Sequence, residues 1–236
     1  MRFLVLQHIE CEHPGIFRDL MRAAEVSWDA VELDLGEEIP PTGDYDALMV
    51  MGGPMDVWQI SENPWLKNEM TTIRHWVESG RPYLGFCLGH QLLAQAMGGE
   101  VGPAKEPEIG VLPVSLTPEG RDHWFFMGCS EELMTLQWHS AEVTTLPPGG
   151  VALARSDACA VNAMALGDNA VSVQFHIELT DTTVAEWGRV PEYAAALEQS
   201  LGSAALAEMQ SAAERNMAGF HVVSQRLFNN FLAHTA

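Results

Sequence analysis

An α/β fold, with a mostly parallel central sheet flanked by helices and a helical C-terminal extension, is the architecture this sequence predicts. Three observations carry it. Short apolar runs alternate with amphipathic helical periods over residues 1–99, short strand-and-turn signals fill 100–178, and only helical spacing remains after Thr180.

The elements follow in order. Residues 3–9 are a short apolar run, the mark of a strand buried on both faces. Residues 14–25 read as a helix with Ile16, Leu20, Ala23 and Ala24 on one face. Residues 30–35 and 45–51 read as strands, the latter stopped by Gly52-Gly53-Pro54. A helix over 64–79 stops at Gly80, and a strand over 82–86 runs straight into Cys87-Leu88-Gly89. The next helix carries Leu92, Leu93, Ala96 and Met97 and ends at Gly98-Gly99. Strand and helix alternating at this spacing imply βαβ units. The clearest later strands are 111–116, 151–154, 161–166 and 170–175, with a turn at Pro147-Pro148-Gly149-Gly150. Thr183 and Glu186 match a capping box ahead of a helix carrying Trp187, Val190, Ala194, Leu197 and Leu201. Gly202-Ser203 interrupts, and Leu206, Met209, Ala213, Met217, Phe220, Leu227 and Phe231 mark a second long helix. Its apolar face is expected in the core, a homodimer or partner surface being the alternative.

Composition narrows the function. The 236 residues hold 12 Lys+Arg against 32 Asp+Glu, a formal charge of −20. Nucleic-acid binding needs clustered cations, and the only lysines are Lys67 and Lys105. No basic run exists to hold an anionic membrane, and no apolar stretch reaches the ~18 residues of a span. The apolar run near Met1 is too short for a signal peptide. Cys11, Cys87, Cys129 and Cys159 are far apart with no C-x-x-C, so free thiols in a cytoplasmic chain are expected.

Three segments carry chemistry. Gly85-Phe86-Cys87-Leu88-Gly89 is G-x-C-x-G at a strand-to-helix junction, the pattern of a nucleophile elbow. Small residues on either side relieve a strained turn, and the helix N-terminus beneath the sulfur favours the reactive thiolate. In Gln174-Phe175-His176-Ile177-Glu178, alternation puts His176 and Glu178 on one side of an extended segment, where a carboxylate can orient an imidazole. Gly52-Gly53-Pro54 ends an inner strand on the same sheet edge. The backbone N–H there, with that of Leu88, would make an oxyanion hole. His8, Glu10, Cys11, Glu12 and His13 read as solvated loop residues rather than a metal site, since no second ligand pair supports one. His90 reads as a packing group.

Together, in this order and spacing, these segments resemble the class I (triad) glutamine amidotransferases, a flavodoxin-like α/β family. In particular, they resemble its stand-alone members similar to the glutaminase domain of GMP synthase. The likeness covers residues 1–180, leaving 181–236 as a helical extension on the same domain. It implies Cys87 as nucleophile, His176 as base and proton donor, Glu178 as orienting carboxylate, and Gly53 and Leu88 as oxyanion donors. It implies Gln91 as a contact to the glutamine side chain. It also implies that the segment holding Trp138 and His139 binds the substrate's α-amino and α-carboxylate groups through its backbone. Two departures stand out. Ile177 replaces the usual proline, which predicts a less rigid link. Ser140-Ala141 stands where Gly-Asp is common, which bears on specificity.

The implied activity is hydrolysis of glutamine's γ-carboxamide through a γ-glutamyl thioester. Ammonia would pass to an acceptor or a synthase partner subunit, with no metal or organic cofactor. The chain has no ATP pyrophosphatase signature and is not by itself a GMP synthase. The same triad would serve a free-standing γ-glutamyl amide or peptide hydrolase. A regulatory module without catalysis and a redox-sensing thiol protein are the readings from other classes, and the intact Cys87, His176 and Glu178 weigh against both.

Overall fold

The computed structural model of the chain describes residues 1–235. One nine-stranded sheet crosses the molecule. Its strands are β1 (Arg2–Gln7), β2 (Ser27–Glu32), β3 (Ala47–Val50), β4 (Tyr83–Phe86), β5 (Glu100–Leu116), β6 (Glu132–Thr145), β7 (Gly150–Arg155), β8 (Ala163–Leu166) and β9 (Ala170–Val173). The spatial order is β2-β1-β3-β4-β9-β8-β7-β5-β6. The helices are α1 (Phe17–Ala23), α2 (Trp65–Glu78), α3 (Leu88–Ala96), α4 (Pro118–Asp122), α5 (Thr183–Trp187), α6 (Pro191–Leu201) and α7 (Ala205–Thr235).

The expected mostly parallel sheet needs correction. The β2-β1-β3-β4-β9 half is parallel, whereas β9-β8-β7-β5-β6 is antiparallel. The difference lies chiefly in the long β5–β6 hairpin, of which the sequence suggested only 111–116. Pro103, Pro107 and Pro113 and two register shifts interrupt its alternation, which hides the strand signal. The parallel half follows the expected physics. Phe3 and Val5 of β1 pack on one face with α1, while Leu4 and Leu6 pack on the other with α2 and α3. Covering both faces is what makes the strand continuously apolar.

The C-terminal helices are part of this core. Leu227, Phe228 and Phe231 of α7 join Phe3, Phe17 and Phe86. Met209, Ala213 and Phe220 join Trp138, Trp187 and Tyr193 in a third cluster. The apolar face of α7 is thus covered within the chain. The single helix expected from Trp187 to Leu201 is instead two, α5 and α6, parted at Gly188–Val190 where Pro191 opens α6. The capping box is not formed: Thr183 lies inside α5, and its hydroxyl accepts from the Thr180 amide (2.9 Å). No described helix is long and apolar enough to cross a membrane.

In the order β1-β3-β4-β9 all four strands are parallel, so their carboxyl ends share one rim. Open α/β sheets bind ligands outside such a rim. Glu12, Gly52-Gly53, Cys87 and His176 all follow those ends.

Candidate active site

Cys87 joins β4 to α3 with no intervening residue, at φ 47° and ψ −102°. A side chain other than glycine rarely holds such an angle, which costs about 1–3 kcal/mol. The turn is held by hydrogen bonds. The Cys87 N–H donates to the Val173 carbonyl (2.8 Å) and the Gly89 N–H to Met51 (3.1 Å). The flanking glycines are obligatory by space: a Cβ on Gly89 would drive into the Val50 carbonyl, and one on Gly85 into the Gly89 backbone. Cys87 is buried but lines a cavity.

His176 lies three residues beyond β9. Its N–H donates to the Leu136 carbonyl (2.8 Å), and the Leu136 N–H returns a bond (3.0 Å), which fixes the segment against β6. The Nδ1 atom lies 2.5 Å from Glu178 Oε1, and Trp187 packs edge-on to the ring at 4.5 Å. Burial alone would push the imidazole down. The charge of Glu178, its hydrogen bond and the adjacent Cys87 outweigh that and hold it well above its ordinary value. The expected loose link at Ile177 is corrected. Its N–H donates to Glu178 Oε2 (2.9 Å), a bond proline could not make, and Ser224 of α7 donates to its carbonyl (2.6 Å). On the other side, Ile16 donates to the Glu178 carbonyl (2.8 Å).

The remaining candidates gather around the cavity, about 150 Å³, lined by Gly53, Asp56, Cys87, Gln91, Trp138 and Tyr193 among others. Gly53 is wedged between His8 and Leu88. Among the described residues, neither the Gly53 nor the Leu88 amide meets a protein acceptor. Gln91 is tethered to the Ala141 carbonyl (3.2 Å) and Gln174 (3.1 Å). His139 contributes to the cavity wall, but its ring is committed to the Ala141 carbonyl (3.0 Å) and Glu108 (3.2 Å). Its backbone lies in β6, paired in register with Glu108 of β5. The His90 ring is buried between Ser172 and the Val161 carbonyl, and burial lowers it to about 3, so it stays neutral. A larger hollow on the α2 face, about 510 Å³, includes Trp58, Lys67 and Arg74 and none of the candidates.

Sequence reasoning missed four groups. Gln174 donates to the Cys87 sulfur (3.5 Å). The alternation that pairs His176 with Glu178 extends back to it and was the available signal. His8 is not solvated: it is fully buried, with Nδ1 on the Gly52 carbonyl (2.7 Å) and Nε2 on Glu69 (2.9 Å), so it braces the Gly52-Gly53 turn. Burial depresses its imidazole, but Glu69 more than reverses this. Glu12 is also buried, bonded to Tyr193 (2.5 Å), and Tyr193 comes from α6. No local signal links residues 12 and 193. Glu12, His176 and Glu178 each offer one ligand-type atom within 4.8 Å of the others. Within that group Glu178 is bonded to His176, and Glu12 to Tyr193.

Comparison with known proteins finds related chains. The family model described as glutamine amidotransferase class-I matches residues 16–186. One subunit of a glutamine-hydrolysing GMP synthase from Sulfurisphaera tokodaii is 37% identical over 140 residues, 59% of this chain and 70% of the relative. The crystal structure of a Thermotoga maritima glutamine amidotransferase superposes with a TM-score of 0.87 at 27% identity, covering 98% of both chains. That of a Methylobacillus flagellatus glutamine amidotransferase gives 0.84 at 27% identity, over 99% of this chain and 94% of the other. These two likenesses extend through α6 and α7, which lie beyond the family-model match.

Proposed function

The chain belongs to the class-I glutamine amidotransferases, and from that membership and the rim geometry we propose that it hydrolyses the γ-carboxamide of glutamine through Cys87, His176 and Glu178. The observation that carries the reading is the strained Cys87 beside an imidazole whose far nitrogen is bonded to Glu178. An elbow thiol with an oriented base is an acyl-transfer constellation.

The Cys87 thiolate attacks the γ-carbonyl carbon and a C–S bond forms. Charge moves to the carbonyl oxygen, where the Gly53 and Leu88 N–H groups receive it, each donor worth roughly 3–4 kcal/mol of barrier. His176 gives its proton to the departing nitrogen, the C–N bond breaks, and ammonia leaves a γ-glutamyl thioester. The neutral ring then takes a proton from water, whose oxygen displaces the sulfur as glutamate. Glu178 accepts from the Nδ1–H and keeps the ring oriented through the cycle. Gln91 lines the cavity where the glutamine side chain would lie, and the Trp138–His139 segment forms the wall that would receive the amino-acid end of the substrate. Asp56, whose half-buried carboxyl is raised by burial, lines the same cavity and suits an ammonium group.

Delivery of ammonia to a partner is supported by the relative's name, which is that of one subunit of a glutamine-hydrolysing synthase. The test is ammonia release from L-glutamine by the purified chain, alongside a panel of N-substituted γ-glutamyl amides. Glutamine should be cleaved, and Cys87→Ala should lose at least about 10³-fold. Undiminished turnover by the variant would end the reading. Faster cleavage of the substituted amides would move it to a free-standing γ-glutamyl hydrolase.

A further inference from the structure

The triad leaves one buried acid unused. Glu12, in the turn after β1, is 1% exposed. Its Oε1 accepts from the Tyr193 hydroxyl (2.5 Å), and its Oε2 has no protein partner. A Cβ on Gly52 would stand 2.5 Å from that oxygen and 3.1 Å from His176 Cε1, so carboxyl and ring edge face each other across the glycine. The extension grips this turn twice, since Trp187 Nε1 also donates to the Cys11 carbonyl (3.1 Å).

A carboxyl taken out of water is costly unless charge or hydrogen bonds compensate it. One tyrosine hydroxyl is meagre compensation. The titratable groups facing Glu12 are His8 from β1, Cys11 in its own turn, His176 and Glu178 beyond β9, and Tyr193 from α6. Of these only the imidazoles can carry positive charge, and the ring of His176 borders the orphaned oxygen.

We propose that Glu12, held by Tyr193 of the C-terminal extension, is a positioning residue of the reaction, its carboxylate supporting the charged form of His176 from the ring's Cε1 edge. The inference rests on Cys87 and His176 being nucleophile and base. Glu178 orients the ring through Nδ1, and Glu12 adds a second negative charge without occupying either ring nitrogen. Nε2 is left for the thiol and the leaving group. The support is tied to α6, which also walls the substrate cavity through Tyr193. Burial and the nearby Glu178 push the Glu12 carboxyl up, and His176, Tyr193 and His8 oppose them without reversing the rise. Acid therefore withdraws the support by protonating Glu12, and base ends it by removing the His176 proton.

The experiment compares Glu12→Gln with the parent in two profiles against pH: kcat/KM for glutamine, and iodoacetamide alkylation of Cys87 followed by peptide mass spectrometry. Glutamine isosteric with glutamate keeps the bond to Tyr193 and loses the charge. Both profiles should move to lower pH by about one unit, with kcat down about tenfold on the alkaline side and KM within about twofold. A folded variant with profiles unmoved, or moved upward, overturns the proposal. If Glu12→Gln does not fold, Tyr193→Phe decides: it keeps the charge without its anchor, and a smaller shift in the same direction is expected, no shift being the contrary result. The alkylation arm reads the thiol–imidazole pair whatever the substrate. A parent idle on glutamine but with a Glu12-dependent alkylation profile therefore faults the substrate and not Glu12.

Discussion

The Cys87 amide donates to the Val173 carbonyl at 2.8 Å, so the turn that carries the sulfur is fastened to the strand that leads, three residues on, to His176. Two segments about ninety residues apart in sequence are thereby set by one sheet pairing, β4 with β9. Cys87, His176 and Glu178 are brought together by backbone pairing, and the side chains need only short reaches from it.

Removing the carboxylate should therefore alter proton affinity more than placement. Glu178→Gln is expected to lower kcat by roughly 10²–10⁴-fold. Because Glu178 is a principal reason that His176 lies above its ordinary value, the alkaline limb of kcat/KM should also move to lower pH. A pH–rate series on parent and variant checks both.

The elbow allows no Cβ at Gly89, which the Val50 carbonyl would meet. Gly89→Ala should destabilise by about 1–3 kcal/mol, more if α3 cannot shift. It should also lower kcat, because any relaxation moves Cys87. Urea unfolding and steady-state kinetics on the one variant test the pair of effects.

Acid sensitivity should trace in part to His90. Its folded value, about 3, lies below the ordinary 6.5, so the unfolded chain binds the proton first. The stability tied to the neutral ring is complete above 6.5 and declines as pH falls toward 3. Between pH 7 and pH 5 this amounts to about 2 kcal/mol, which His90→Gln should not lose. Unfolding midpoints at the two pH values measure the difference.

Phe231 of α7 is fully buried and meets Phe3 edge to face at 6.0 Å. Phe231→Ala should cost about 3–5 kcal/mol although it is far from Cys87 along the chain. A variant as stable as the parent in urea would show that α7 merely lies on the sheet.

The parallel half of the fold was legible because each strand is a short apolar run and each helix a clear 3.6-residue period. Cys87, His176 and Glu178 were legible because a G-x-C-x-G turn and a His-x-Glu pair write their geometry into adjacent residues. The β5–β6 hairpin was not, since its prolines, glycines and polar alternation look like loops until the two strands pair. Glu12 illustrates the other failure. Its neighbours His8, Glu10 and His13 are polar, so the segment reads as solvated. Tyr193, which bonds the carboxyl, is supplied from the far end of the chain, and nothing near residue 12 announces it. The break of α5 from α6 at Gly188–Val190 was visible as Gly188 and Pro191 but was outweighed by apolar spacing on either side.

The hydroxyl of Ser224 on the Ile177 carbonyl has a consequence for biosynthesis. A ribosome makes the thiol, the imidazole and the carboxylate well before it reaches the helix that braces the link between the last two. A nascent chain thus passes through a stage in which the reactive groups exist and their frame does not. On the proposed activity, ammonia release should lag behind translation of the three residues assigned to it.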